Sequence, residues 1–246
     1  MCNTEVPANL PGISLPEYLK GNKYPGRGIA VGMPSSGDKI FVAYFIMGRS
    51  ANSRNRIFDI TEDGIRTKAF DESKMEDPTL IIYRPVRRMG DKLIVTNGDQ
   101  TDTIFETLTN GGTFEDALRT RCYEEDPPNY TPRISLMVEL GQTPSYKMSI
   151  LKSAYGFGGA NVRNFFEYDR FLPGYGHFIS TYEHDGNPLP SFPGEPLLID
   201  MADDLDSWVD ALWSSLDEDN KISLFVQEID VKTGVAATCI INKHEQ

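Results

Sequence analysis

Cysteine, histidine and tryptophan are scarce in this chain of 246 residues, and basic residues are outnumbered. Each shortage excludes something. Three cysteines, Cys2, Cys122 and Cys239, are too few and too scattered for a disulfide framework or a zinc site, so a reducing cytoplasm is the expected compartment. His177 and His184, on either side of residues 180–183, lack a recognised ligand spacing and a third partner; no metal and no other cofactor is expected. No stretch stays apolar for the ~18 residues that a membrane span requires. Met1-Cys2-Asn3-Thr4-Glu5 lacks the basic and apolar regions of a secretory signal, which also points to the cytoplasm. A formal net charge of -12 argues against binding to nucleic acid, because that affinity comes from neutralising phosphates with many basic groups.

What basic charge there is gathers in two places. Arg49, Arg54 and Arg56 form one group; Arg84, Arg87 and Arg88 form another. Local basic clusters in an acidic chain can focus potential on one small anionic ligand. The first group ends the stretch around which the chain is organised, residues 24–56. Residues 28–31 and 40–47 read as a hairpin joined by a turn rich in Pro, Ser, Gly and Asp, and its second strand runs out into a loop of arginines, hydroxyls and amides.

Residues 1–23, broken by Pro7, Pro11, Gly12 and Pro16, read as a separate extension over the surface with at most one helical turn near residues 16–20. Residues 24–246 are expected to form a single domain. Strands are predicted at residues 57–60, 65–70, 80–83 and 93–96, which makes six before any helix. Asp63-Gly64 signals a hairpin. Helices follow at Ile104, Phe105 and Leu108 and at Phe114, Ala117 and Leu118, the second capped by Thr113. Pro127, Pro128 and Pro132 make residues 121–133 a rigid polar loop. Further strands are predicted at 134–140, 146–151, 178–182, 222–229 and 235–242. A helix carries Trp208 and Trp213 toward a sheet. Many strands with few helices indicate α+β, with two sheets and helices outside.

The motifs Tyr24-Pro25-Gly26-Arg27, Ala43-Tyr44 and Arg49-Ser50-Ala51-Asn52-Ser53-Arg54 fall in this order. They are followed by Tyr83, Asn97-Gly98 with Thr101-Asp102, Tyr123-Glu124, Asn129 with Thr131-Pro132-Arg133, and Ser180-Thr181-Tyr182-Glu183. In them the chain resembles the archaeal-type IMP cyclohydrolase family, specifically over residues 24–134 and thinly beyond. The extension and the Gly- and aromatic-rich stretch 155–168 depart from the pattern.

The resemblance implies a four-layer αββα sandwich like that of N-terminal-nucleophile hydrolases, with two mainly antiparallel sheets, helices outside and no autocatalytic nucleophile. It further implies closure of the formamido ribotide FAICAR to IMP, the last step of purine synthesis, with AICAR as a binding analogue. On that basis Glu124 would move protons, Tyr83 would donate to the developing oxyanion and Asn97 would orient the carboxamide. Arg27, Arg54 and Arg133 would hold the 5′-phosphate or polarise the formyl oxygen, with Arg49 and Ser50 in the same anion-binding loop. Which arginine does which stays open, as does a homo-oligomer. Two rivals remain: an amidohydrolase using Cys2 as nucleophile, and a purine-ribotide sensor without turnover.

Overall fold

A computed structural model describes residues 10–75 and 82–245. Cys2 and the expectations for residues 1–9, 80 and 81 lie outside the described residues. The chain enters through β1 (Ile13–Ser14) and α1 (Leu15–Lys20), then forms the hairpin of β2 (Arg27–Gly32) and β3 (Lys39–Met47). A short helix α2 (Ala51–Arg54) leads to β4 (Arg56–Thr61), β5 (Gly64–Ala69), β6 (Val86–Met89) and β7 (Lys92–Thr96). Two helices follow, α3 (Gln100–Thr109) and α4 (Phe114–Arg119), then β8 (Arg133–Glu139), β9 (Ser145–Ser153), β10 (Asn161–Tyr168), β11 (Tyr175–Ser180) and β12 (Leu197–Asp200). The last elements are α5 (Leu205–Ser215), β13 (Lys221–Asp230) and β14 (Ala236–Asn242).

The strands form two seven-stranded sheets, ordered β1-β12-β11-β2-β3-β13-β14 and β10-β9-β8-β7-β6-β5-β4. All pairings are antiparallel except β1 with β12. Burial on both faces explains why β3 reads as an unbroken apolar run. Successive side chains alternate, so Ile40, Val42, Tyr44 and Ile46 enter the core between the sheets. Phe41, Ala43, Phe45 and Met47 instead join Leu15 and Leu19 of α1 and Trp208 and Leu212 of α5. On the far side, Ile94, Met137 and Leu151 pack with Ile104 of α3 and Phe114 and Leu118 of α4. The layers therefore run helix, sheet, sheet, helix. Each large apolar side chain buried this way contributes about 1.5–3 kcal/mol.

Several local expectations change. Residues 49–56 are not an open loop, because Ser50 and Ser53 cap each other's backbone N–H groups and start α2. The strand expected at 80–83 is not seen at Ile82 and Tyr83; Val86–Met89 forms it instead, turning through Gly90 and Asp91 into β7. Among the described residues, seven strands, two short α-helices and a 3-10 turn at Glu72–Lys74 precede α3. In the second arginine group, Arg87 is committed within the protein: it binds Asp63 at 2.7 Å and Asp102 at 2.9 Å, and its guanidinium lies 3.5 Å from the Phe105 ring centroid. The stretch 155–168 divides into a glycine loop and the edge strand β10. β1 and β12 carry no sequence pattern strong enough to foresee.

The extension also departs from a surface path. Leu15 and Leu19, one helical turn apart, are both buried against α5. Leu19→Ala is expected to lower stability by about 2–5 kcal/mol, measured as the midpoint shift in urea unfolding. An unchanged midpoint would mean that α1 is not part of the core.

Candidate functional site

The site forms where the start of β2, the end of β3, the loop before β8 and the end of β11 meet. Gly26 makes this meeting possible. Its φ is +79°, and a Cβ there would fall 2.3 Å from Thr181 Oγ1 and 2.6 Å from the Tyr182 ring, so only glycine lets residues 24–27 lie flat against β11. Backbone bonds from Thr181 N to the Arg27 carbonyl and from Tyr182 N to the Pro25 carbonyl fix the contact. Arg27 is thereby turned into a cavity of about 330 Å³.

Glu124 faces Arg27 across this cavity, with Oε2 3.7 Å from Nη2. Its backbone N–H donates to the Thr131 carbonyl, which clamps the proline-rich loop closed. Arg27 is 9% and Glu124 3% exposed, and Arg56, whose charge Glu124 feels from outside the lining, is 1% exposed, so ionisable groups are held out of water here. Burial pushes the Glu124 carboxyl above its ordinary value, with the charges of Arg27 and Arg133 pulling the other way. Burial likewise disfavours the Arg27 charge, yet Glu124 and the phenols of Tyr83, Tyr182 and Tyr24 outweigh it and hold that guanidinium well above its usual range. The two shifts do not cancel, because 3.7 Å exceeds hydrogen-bond length: Glu124 receives Coulombic support without a bonded donor. Arg56, desolvated and repelled by Arg27, is lowered.

Among the described residues, Arg27 Nε, Arg56 Nη1 and Arg133 Nε are buried with no hydrogen-bond partner. A buried unmade bond costs about 1–3 kcal/mol. Buried guanidiniums thus gather around Glu124, in and behind the cavity wall of an acidic protein.

Tyr83 lies behind this wall, its hydroxyl 2.8 Å from that of Tyr44. Burial, with Tyr83 adding to it, keeps the Tyr44 phenol protonated well above the ordinary range. Arg49 and Ser50 line the rim. Arg49 donates to Asp185 Oδ1 and the Gly186 carbonyl, both at 2.9 Å, and its guanidinium sits 5.0 Å from the Tyr24 ring centroid.

The remaining sequence candidates are placed differently. Arg54 is absent from the cavity lining; it donates to the Gly48 carbonyl at 2.9 Å and to Asn220 Oδ1 at 3.0 Å, anchoring α2 to the residue that precedes β13. Asn97 is fully buried, and its amide is committed to the Pro132 carbonyl, the Ile134 N–H and Gln100. These bonds tie residues 97–100 to β8. Arg133 donates to Asp99 and Gln100, both at 2.7 Å. A Cβ on Gly98 would stand 2.6 Å from Arg133 Nη1 and 3.4 Å from Glu124 Oε1, so this corner backs directly onto the carboxylate.

His177 is bound to the Tyr146 hydroxyl at 2.6 Å, packed on Tyr168 and lowered by burial to about 4. No group of three or more metal-ligating side chains is found among the described residues. No helix among them is long and apolar enough to cross a membrane.

Six further lining residues, Tyr24, Asn52, Ser53, Asn129, Thr131 and Tyr182, stood in the motifs without an assigned role. Asp126 lines the cavity too, and nothing in the sequence distinguishes it from its acidic neighbours.

A helix–sheet–sheet–helix sandwich that holds a buried, raised carboxyl beside a guanidinium in a cavity has the pattern by which acid–base enzymes are recognised. Residues 24–233 match the family model described as IMP cyclohydrolase-like protein, and the chain belongs to that family. Among its relatives, the IMP cyclohydrolase of Methanosphaera stadtmanae is 29% identical over 166 residues, covering 66% of this chain and 75% of the relative. That of Methanococcus aeolicus is 27% identical over 164 residues, 65% and 74% of the two chains. That of Methanothrix thermoacetophila is 34% identical over 119 residues, 47% and 57%.

Proposed function

We propose that this protein closes FAICAR to IMP with loss of water, and that Glu124 is the proton carrier. The observation that carries the reading is a carboxyl buried and raised beside the Arg27 guanidinium, inside a cavity rimmed by a further cation. An amide nitrogen is a poor nucleophile, so the site must hold carboxamide and formyl group in contact and move protons both ways. In the first step the nitrogen–carbon bond forms. Glu124 takes a carboxamide proton and delivers it to the formyl oxygen, whose developing charge Arg27 stabilises. In the second, Glu124 takes the formamido proton and passes it to the new hydroxyl. The carbon–oxygen bond breaks, carbon–nitrogen unsaturation forms and one water leaves. A carboxyl raised toward neutral pH suits both directions of transfer.

Tyr83 and Tyr44 support Arg27 from behind, while Asn97 and Arg133 brace the corner that backs onto Glu124. The 5′-phosphate is assigned to Arg49 with Ser50. Two of the five guanidinium donors would suffice for Asp185 and Gly186, leaving the others for phosphate. Arg54 then acts by holding α2 in place. Ring closure assayed on FAICAR tests the reading; protein that binds AICAR tightly without closing FAICAR would favour the sensor.

Arg49→Ala is expected to weaken ribotide binding roughly 10- to 100-fold while turnover of bound substrate changes little, since a phosphate contact is held equally in ground and transition states. The check is the split between KM and kcat. Equal binding of the dephosphorylated nucleoside to the unaltered protein would remove phosphate recognition from the site.

A further inference from the structure

In the cavity wall, three side chains form a directed chain of hydrogen bonds. Asp126 accepts from the Thr131 backbone N–H through Oδ1 at 2.7 Å and lies 2.5 Å from the Thr131 hydroxyl through Oδ2. The Thr131 hydroxyl is in turn 2.6 Å from the Tyr182 hydroxyl. A carboxylate can only accept, and a threonine hydroxyl has one proton to give. Thr131 therefore donates to Asp126, and the Tyr182 O–H must donate to Thr131. Its remaining capacity is lone pairs alone. Burial holds the proton on Tyr182, so the direction does not reverse.

The position of Tyr182 along the cavity says which part of a ligand meets it. Arg49 at the rim covers the Tyr24 ring, and Tyr24 stacks on Tyr182 with centroids 6.0 Å apart. The Arg27 backbone N–H donates to Thr181 Oγ1, next to Tyr182, at 3.1 Å, and Tyr182 feels the charge of that guanidinium, the partner of Glu124. Tyr182 thus connects the stack under the rim cation with the acid–base pair, and it lines the cavity they share. A ribotide with its phosphate at Arg49 and its reacting groups at Glu124 has its sugar there.

The geometry points to Tyr182 as a specificity-determining residue that accepts a hydrogen bond from a ribose hydroxyl, held as an acceptor by Thr131 and Asp126. The assignment rests on the ribotide reading and deepens it. A site that offers only lone pairs at this point favours a sugar with a hydroxyl there over one with hydrogen, because the deoxy analogue leaves the buried acceptor unpaired.

The test compares AICAR with its 2′-deoxy and 3′-deoxy analogues by calorimetry on the unaltered protein and on Tyr182→Phe. The unaltered protein is expected to bind one deoxy analogue about tenfold more weakly than AICAR. Tyr182→Phe, which keeps the stacked ring, should bind that analogue and AICAR equally. Discrimination retained in Tyr182→Phe, or absent in the unaltered protein, overturns the assignment. A uniform loss of affinity in Tyr182→Phe with discrimination intact would mark a merely structural ring. Failure of the unaltered protein to bind AICAR at all overturns the ribotide reading, and the sugar contact with it.

Discussion

Glu124→Gln is expected to lower the rate of FAICAR closure by about 10²–10⁴ while AICAR still binds, the loss typical of removing a general acid–base group. Glutamine keeps the shape and the acceptor oxygen but cannot exchange a proton. The effect should fall on kcat, because the carboxyl acts on groups already held by Arg27 and the rim. A Cys2→Ala control in the same assay should retain full rate. The reverse pattern, with Cys2 essential and Glu124 dispensable, would assign the chemistry to the amidohydrolase rival.

Arg27 is the second point of large leverage, and its loss should show in stability as well as rate. Arg27→Met leaves the Glu124 carboxylate buried without its nearest charge, for which the expected cost is about 3–5 kcal/mol near pH 8. Burial already raises the folded-state pKa of Glu124, and removing Arg27 raises it further. A carboxyl raised in the folded state favours folding while it stays protonated, and that contribution is lost as pH climbs from the ordinary carboxylate value through the raised one. The deficit of Arg27→Met should therefore shrink on acidification and vanish largely in the Arg27→Met/Glu124→Gln double variant. Urea unfolding at several pH values measures both. A pH-independent deficit, unchanged in the double variant, would show that Arg27 contributes packing rather than charge balance.

The contrast between Arg54 and Arg56 shows where sequence reading stops. Both stand in one basic cluster two residues apart, and nothing in composition or spacing separates them. Start of β4 at Arg56 drives that side chain into the interior, while Arg54, on the last turn of α2, reaches sideways to Asn220. The partner is 166 residues away and leaves no local trace. Asn97 was similarly opaque, because an Asn-Gly pair looks like a turn or a ligand contact until its partners, the Pro132 carbonyl that accepts from it and the Ile134 N–H that donates to it, are known. By contrast the β2–β3 hairpin, the Asp63-Gly64 turn, the Thr113 cap and the helix of Trp208 were legible, since each depends on neighbours within a few residues. Glu124 was visible as a motif residue; its burial, which gives it a use, depends on β2 and β11 closing over it.

The place of β3 bears on how the chain is made. One edge of this strand pairs at once with β2, but the other pairs with β13, whose first partner is Lys221 against Met47. On a ribosome adding about 5–20 residues per second, roughly ten to thirty seconds separate the two strands. Throughout that interval the most apolar strand of the protein has emerged with one row of N–H and C=O groups unmatched, the condition under which nascent chains stick to one another. An interior strand of the finished sandwich is thus, during synthesis, its most vulnerable edge.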